Sequence, residues 1–189
     1  YLFSWTGPNG FSSSLQNITN LFAGTYNVTA TDNNGCLTSE TITITEPVLL
    51  TSSIDSSNFN GYGVSCNGDT DGWIALTVSD GVFPYTYSWT GPNGYTSTNP
   101  NNILNLGAGT YNVTVTDNNG CTTLETVTLT ESNIVTSSFS TSDWNGYEIQ
   151  CNGGNNGEIT LSVLGGVTAL PYNYDIDGVS NSTNIFSNL

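Results

Sequence analysis

GTYNVTVTDNNGC, residues Gly109 to Cys121, restates GTYNVTATDNNGC, residues Gly24 to Cys36, with a single substitution. Within it Tyr111, Val113 and Val115 alternate with Asn112, Thr114 and Thr116. That is the period of a strand with one buried face. Asp117-Asn-Asn-Gly120 then supplies a turn whose Asn and Gly suit positive φ, and Val127 and Leu129 resume the apolar alternation beyond it. The stretch predicts a β-hairpin. Its recurrence predicts that the hairpin is one piece of a repeated module.

Gly24 and Gly109 are 85 positions apart, and other stretches recur at that separation. CNGDTDGWIALTV from Cys66 returns as CNGGNNGEITLSV from Cys151, and Thr51-Ser-Ser-Ile returns as Thr136-Ser-Ser-Phe. SWTGPNG at Ser4 returns 84 positions on, at Ser88, and Pro84 has its counterpart 87 positions on, at Pro171. Length changes of this size belong in surface turns. The sequence therefore predicts tandem modules with a period of about 85 residues: the back part of one at 1–47, a complete one at 48–131, and the front part of a third at 132–189. The links Glu46-Pro47 and Glu131-Ser132 are too short for independent tumbling, which predicts touching neighbours and a semi-rigid rod. A chain with no Met is expected to be a segment of something longer.

Ile74, Leu76 and Val78 alternate with polar or small neighbours, and Ile159, Leu161 and Val163 keep that parity. Trp73 becomes Glu158 in the next copy, a change no core position tolerates, so Trp73 is expected at the surface or at a module contact. Pro84-Tyr-Thr-Tyr-Ser-Trp89 reads as a further strand, left through Gly91-Pro92-Asn93-Gly94. Trp89 is the expected core aromatic, with Trp5 and Ile176 in the parallel positions. No stretch sustains a 3.6-residue apolar period. Short strands between turn signals in a unit of this length predict an all-β chain of immunoglobulin-like β-sandwich modules.

The chain has no Lys, Arg or His and fifteen acidic residues, for a net charge of −15. This excludes the electrostatic footprint of a nucleic-acid binder and any polybasic attachment to an anionic membrane. No apolar stretch is long enough for helical membrane insertion, and no signal-peptide pattern is present, so any targeting signal is expected outside this segment. Charged residues make up only 8% of the chain, so solubility rests on uncompensated negative charge together with hydroxyls and amides.

The ordered set CNGDTDGWIALTVSDG, PYTYSWTGPNG, NLGAGTYNVTVTDNNGC and ETVTLTE resembles the SprB-type repeat of gliding Bacteroidetes. It also looks related to PKD and other immunoglobulin-like modules, with SWTGPNG in place of the PKD signature WDFGDG. The resemblance covers essentially the whole chain. It implies a large extracellular, cell-surface adhesin or filament, exported by type IX secretion and serving gliding motility. It names no ligand.

Catalysis needs a base, a nucleophile and oxyanion stabilisers in one place, and a chain without His, Lys or Arg offers only carboxylates. No catalytic residue is expected. Cys36, Cys66, Cys121 and Cys151 recur at fixed repeat positions without His, which favours structural disulfides over a zinc site. In an immunoglobulin-like order the Cys66 turn lies at the module's C-terminal pole and Cys121 at its N-terminal pole. Pairing inside one sandwich is then disfavoured, and bridges between consecutive modules are expected, with the partner of Cys66 beyond Leu189.

Asn67, Asp69 and Asp71 have the alternating spacing of a calcium loop, but its twelfth position is Val78 and the next copy loses both acids. A Gly/Asx turn is the simpler reading; no cofactor is expected, with calcium at module junctions the one alternative on so acidic a surface. Phe59, Tyr62, Trp144 and Tyr147 flank turn glycines and, with Trp73, are candidates for module packing or for sugar stacking. Asn17, Asn27, Asn112 and Asn181 begin N-x-Ser/Thr sequons that arise easily in so Asn- and Thr-rich a chain. The expected partners are neighbouring modules and other copies of the chain, with a surface polysaccharide as the alternative.

Overall fold

The structure, a computed structural model, describes residues 1–100, 102–167, 172–176, 179–181 and 184–187. Pro171 and the side chain of Ile176 lie outside the described residues. Two compact units are present: Tyr1–Leu49 with Asp80–Val82, and Leu50–Ser79 with Phe83–Leu189.

In the first unit β1 (Leu2–Thr6), β2 (Ser12–Ser13), β3 (Gly24–Thr31) and β4 (Leu37–Ile44) form one antiparallel sheet in the order β2-β1-β3-β4. In the second unit come β5 (Thr51–Ser56), β6 (Gly72–Ser79), β7 (Thr86–Thr90), β8 (Thr96–Ser97), β9 (Ile103–Leu106), β10 (Gly109–Thr116) and β11 (Thr122–Leu129). They make two sheets, β5-β6-β9 and β11-β10-β7-β8. Further along, β12 (Asn133–Thr141), β13 (Glu158–Gly166) and β16 (Ile185–Ser187) form a three-stranded sheet, and β14 (Tyr174–Ile176) pairs with β15 (Val179–Asn181). Among the described residues the only helical turns are two short 3₁₀ segments, Pro8–Gly10 and Pro92–Gly94.

The sandwich at Leu50–Leu129 follows from the alternation. Ile74 and Leu76 from one sheet meet Trp89, Tyr111, Val113 and Val115 from the other, and Leu50, Ile103, Leu106 and Leu129 complete one buried cluster. Three strands against four, joined in this order, is an immunoglobulin-like arrangement. The fold is all-β and sandwich-like, as the sequence predicts. Trp89 is 1% exposed, and its indole N–H donates to the Asn99 carbonyl at 3.0 Å, so the large ring is buried without an orphaned donor.

Tyr111 adds a second anchor. Its hydroxyl donates to the Gly107 carbonyl at 3.1 Å, four residues upstream, in the manner of the tyrosine corner of immunoglobulin-like folds. The ring lies against Gly91, where a Cβ would come within 2.6 Å of it. That close approach accounts for glycine at the start of the GPNG turn. Tyr26 repeats the bond to Phe22 at 2.9 Å, over Gly7.

The first unit holds the counterpart of the four-stranded sheet alone. Trp5 and Val28 are half-buried there, whereas Trp89 and Val113 are at 1% and 0% exposure. Residues 18–21, which match β9, form no strand; residues 1–49 offer no counterpart of β6 for them to pair with.

Candidate functional site: the turns at the ends of the module

The connection from β5 to β6 is the most elaborate in the sandwich, and short polar side chains organise it. Ser57 is buried; its hydroxyl donates to the Gly63 carbonyl at 2.6 Å and accepts from Trp73 N–H at 3.0 Å. Between these points Phe59 and Tyr62 exchange backbone bonds of 2.6 and 3.2 Å across Asn60 and Gly61. Both turn residues have positive φ, 53° and 97°, the requirement of a tight type I′ hairpin turn. Asn58 accepts from Gly61 N–H at 2.7 Å.

The same connection grips the chain as it leaves the module. Gly63 and Val64 N–H both donate to the Thr130 carbonyl, at 2.8 and 3.2 Å. Gly68 N–H donates to the Glu131 carboxylate at 2.7 Å, and the Asn67 amide donates to the Ser132 carbonyl at 2.8 Å. Val64 is fully buried and Ser132 is 4% exposed. The link Glu131-Ser132 is thus docked on its own module.

Asn67, Asp69 and Asp71 fall in this connection, each with a hydrogen-bonding role. Ser65 hydroxyl donates to Asp69 at 2.9 Å, and Ser65 N–H donates to Asp71 at 3.0 Å. Hydrogen bonding from Ser65 holds the Asp71 carboxyl below the usual carboxylate range. In the third stretch Gln150 N–H donates to the Asn156 side-chain oxygen at 3.2 Å, so an amide fills the same position. No group of three or more Cys, Asp or Glu side chains is gathered for a metal among the described residues.

The other connection of interest joins β10 to β11. Asp117, 5% exposed, accepts from Asn119 N–H at 2.9 Å and Cys121 N–H at 2.8 Å. Only Gly120, at 85°, takes positive φ. The expectation that the asparagines share this conformation is corrected, because the Asp117 side chain closes the turn instead. Asp32 makes the matching bonds to Asn34 and Cys36.

All four cysteines are exposed and unbridged. Cys121 follows the Thr116↔Thr122 end of the β10–β11 ladder, whereas Cys66 belongs to the connection bonded to Thr130, past the Gly109↔Leu129 end. Eight residues of strand separate these ends, about 25 Å, far more than the roughly 7 Å between Cα atoms that a disulfide spans.

Among the aromatics, Phe59, Tyr62 and Trp73 are half-buried. Trp73 is on the outer face of β6, the central strand of its sheet, opposite Leu104 of β9, where it is half-covered rather than fully exposed. Trp144 and Tyr147 are 42% and 72% exposed and flank an Asn145-Gly146 turn of the same form. Tyr147 also lines an open groove of about 550 Å³ running to Gly153. The matching loop of the sandwich, Tyr62–Gly68, holds Thr130–Ser132.

Sequence reasoning gives no role to Ser57 or Ser52, and no hydrogen-bonding role to Tyr111 or Glu131. Ser52 donates to Glu125 at 2.9 Å and pairs with Thr123 at 3.0 Å, closing one edge of the sandwich. The signal for Ser57 was its recurrence as Ser142, which donates to Glu148 carbonyl at 2.6 Å and accepts from Glu158 N–H at 3.0 Å.

Residues 64–94 and 148–181 each match the family model described as SprB repeat. The chain carries SprB-type repeats. The first matched segment begins in the β5–β6 connection and runs to the GPNG turn after β7, so the SprB repeat takes in most of the contacts that hold the exit segment. It is a structural repeat family associated with cell-surface, adhesin-like proteins. The chain matches no curated protein.

Proposed function

We propose that this chain is a non-catalytic stalk segment of a large extracellular adhesin or surface filament, in which SprB repeats supply reach and stiffness. The observation that supports the reading is the docked exit: four hydrogen bonds from Gly63, Val64, Asn67 and Gly68 to Thr130, Glu131 and Ser132. A chain that leaves each module in a fixed direction passes that direction to the next, and stability and stiffness then come from nearest neighbours. Export by type IX secretion and service in gliding motility belong to the same reading. So do bridges between modules, a reading supported by the exposure of all four thiols.

Small-angle X-ray scattering of the chain tests this. The expected profile is that of a rod whose cross-section is one sandwich and whose length grows by a constant step when a further module is added. A profile of freely jointed beads would overturn the stalk. A carbohydrate-binding role draws support from the exposure of Trp144 and Tyr147. It expects Trp144→Ala with Tyr147→Ala to abolish glycan retention without unfolding.

A further inference from the structure

The outer side of the four-stranded sheet, away from the core, has an unusual make-up. From β10 it presents Thr110, Asn112, Thr114 and Thr116, which alternate with the buried Tyr111, Val113 and Val115. Their cross-strand partners on β11 are three threonines and Leu124, and β7 adds Thr86, Ser88 and Thr90. Neighbouring side chains bond to one another across the strands: Thr110 to Thr128 at 2.9 Å, and Thr126 to Asn112 at 2.8 Å. The first unit presents the same surface, with Thr25 paired to Thr43 at 3.2 Å, Thr29 to Ser39 at 3.0 Å and Thr41 to Asn27 at 2.8 Å.

Neither copy of this face carries a carboxylate. The two acids in these strands, Glu40 and Glu125, sit opposite Val28 and Val113, with the parity of the inner side. The outer side of β5-β6-β9 differs, since it bears Asp55, Trp73 and Leu104. In a chain of fifteen negative charges and no positive side chain, surfaces that carry the acids repel one another within a Debye length of about 8 Å.

We propose that the hydroxyl face of the four-stranded sheet is the surface through which a second copy of this chain associates side by side. The proposal rests on the structural-repeat reading and gives it a lateral partner. The face is self-complementary, as a two-fold contact requires: hydroxyls and amides are both donors and acceptors, and bridging water fits such an interface. Exposed leucines, Leu124 in one copy and Leu2 and Leu37 in the other, provide its apolar contacts.

Size sets the strength. Two strands of eight residues, one of five and one of two, at about 3.3 Å per residue and about 4.8 Å apart, give a face of under about 400 Å², so one pair buries at most about 800 Å². That falls short of the roughly 1,200 Å² of a stable specific contact, and two faces per chain exceed it. Association is therefore weak for one module and steepens with module number.

Sedimentation velocity of the whole chain, over a range of concentration and sodium chloride, is the test. The expected result is reversible association that salt strengthens, because screening relieves repulsion between acidic rims. Thr29→Glu with Thr114→Glu, one in each face, is expected to weaken association at least tenfold. The charge-matched control Ser53→Glu with Thr77→Glu, on the other sheet, leaves it unchanged. Should the first pair lose its near-ultraviolet circular dichroism, the more exposed pair Thr43→Glu with Thr128→Glu replaces it.

A single monomeric species under all conditions would overturn the proposal, as would equal effects of face and control variants. So would a monomer retained on a neutral polysaccharide matrix through this face, which would make the partner a glycan. An extended monomer would leave the stalk standing while removing its lateral contact.

Discussion

The hydroxyl of Tyr111 costs the sandwich nothing to bury, because Gly107 offers its carbonyl four residues upstream. Tyr111→Phe leaves that carbonyl short of a donor and is expected to destabilise the module by about 1 kcal/mol, read as a lower urea midpoint with unchanged slope. Burial, reinforced by the neighbouring Tyr95, pushes the Tyr111 phenol up from its ordinary value. A raised folded pKa means that the contribution is complete below the unfolded pKa of about 10 and is lost as pH rises through the folded one. The gap between wild type and Tyr111→Phe should therefore be full at neutral pH and narrow in alkali. An equal gap at both would contradict the titration.

At the scale of the element, the β5–β6 connection repeats its bonds with different residue types, as the pair Asp71 and Asn156 shows. Asp71→Asn is accordingly expected to keep the turn. The Asp71 carboxyl lies below its ordinary range, so what its charge contributes is present above the unfolded value of about 3.9 and lost as pH falls through the folded one. The variant should give a shallower acid limb in a plot of unfolding midpoint against pH. A limb as steep as wild type would remove Asp71 from the account. The strands were legible because alternation at Tyr111–Val115 and Ile74–Val78 records burial directly. The grip on Thr130–Ser132 was not, since it is made largely by backbone N–H groups, which leave no residue signature. For Trp73 the exchange for Glu158 marked an outward side chain, and its half-covered state follows from the centre of a sheet, which the sequence does not record.

For the whole molecule, the lack of Lys and Arg makes trypsin uninformative in any state, and chymotrypsin the useful probe. Trp89 and Tyr111 are buried, whereas Phe83, Phe139 and Tyr147 are each more than 70% exposed. Brief digestion of the native protein is expected to cut at the exposed group and spare the buried pair; early cleavage after Trp89 or Tyr111 would contradict the sandwich. The type I′ turns carry a slower chemistry of their own. Asn60-Gly61 and Asn145-Gly146 are asparagines followed by the least hindered residue, the sequence most prone to lose ammonia through a cyclic imide. Similar pairs close the GPNG turns and the cysteine turns. Each such event turns an amide into an acid and can leave an extra carbon in the backbone. A long-lived protein of this kind would grow steadily more acidic at its turns, so that its isoelectric pattern would record its age.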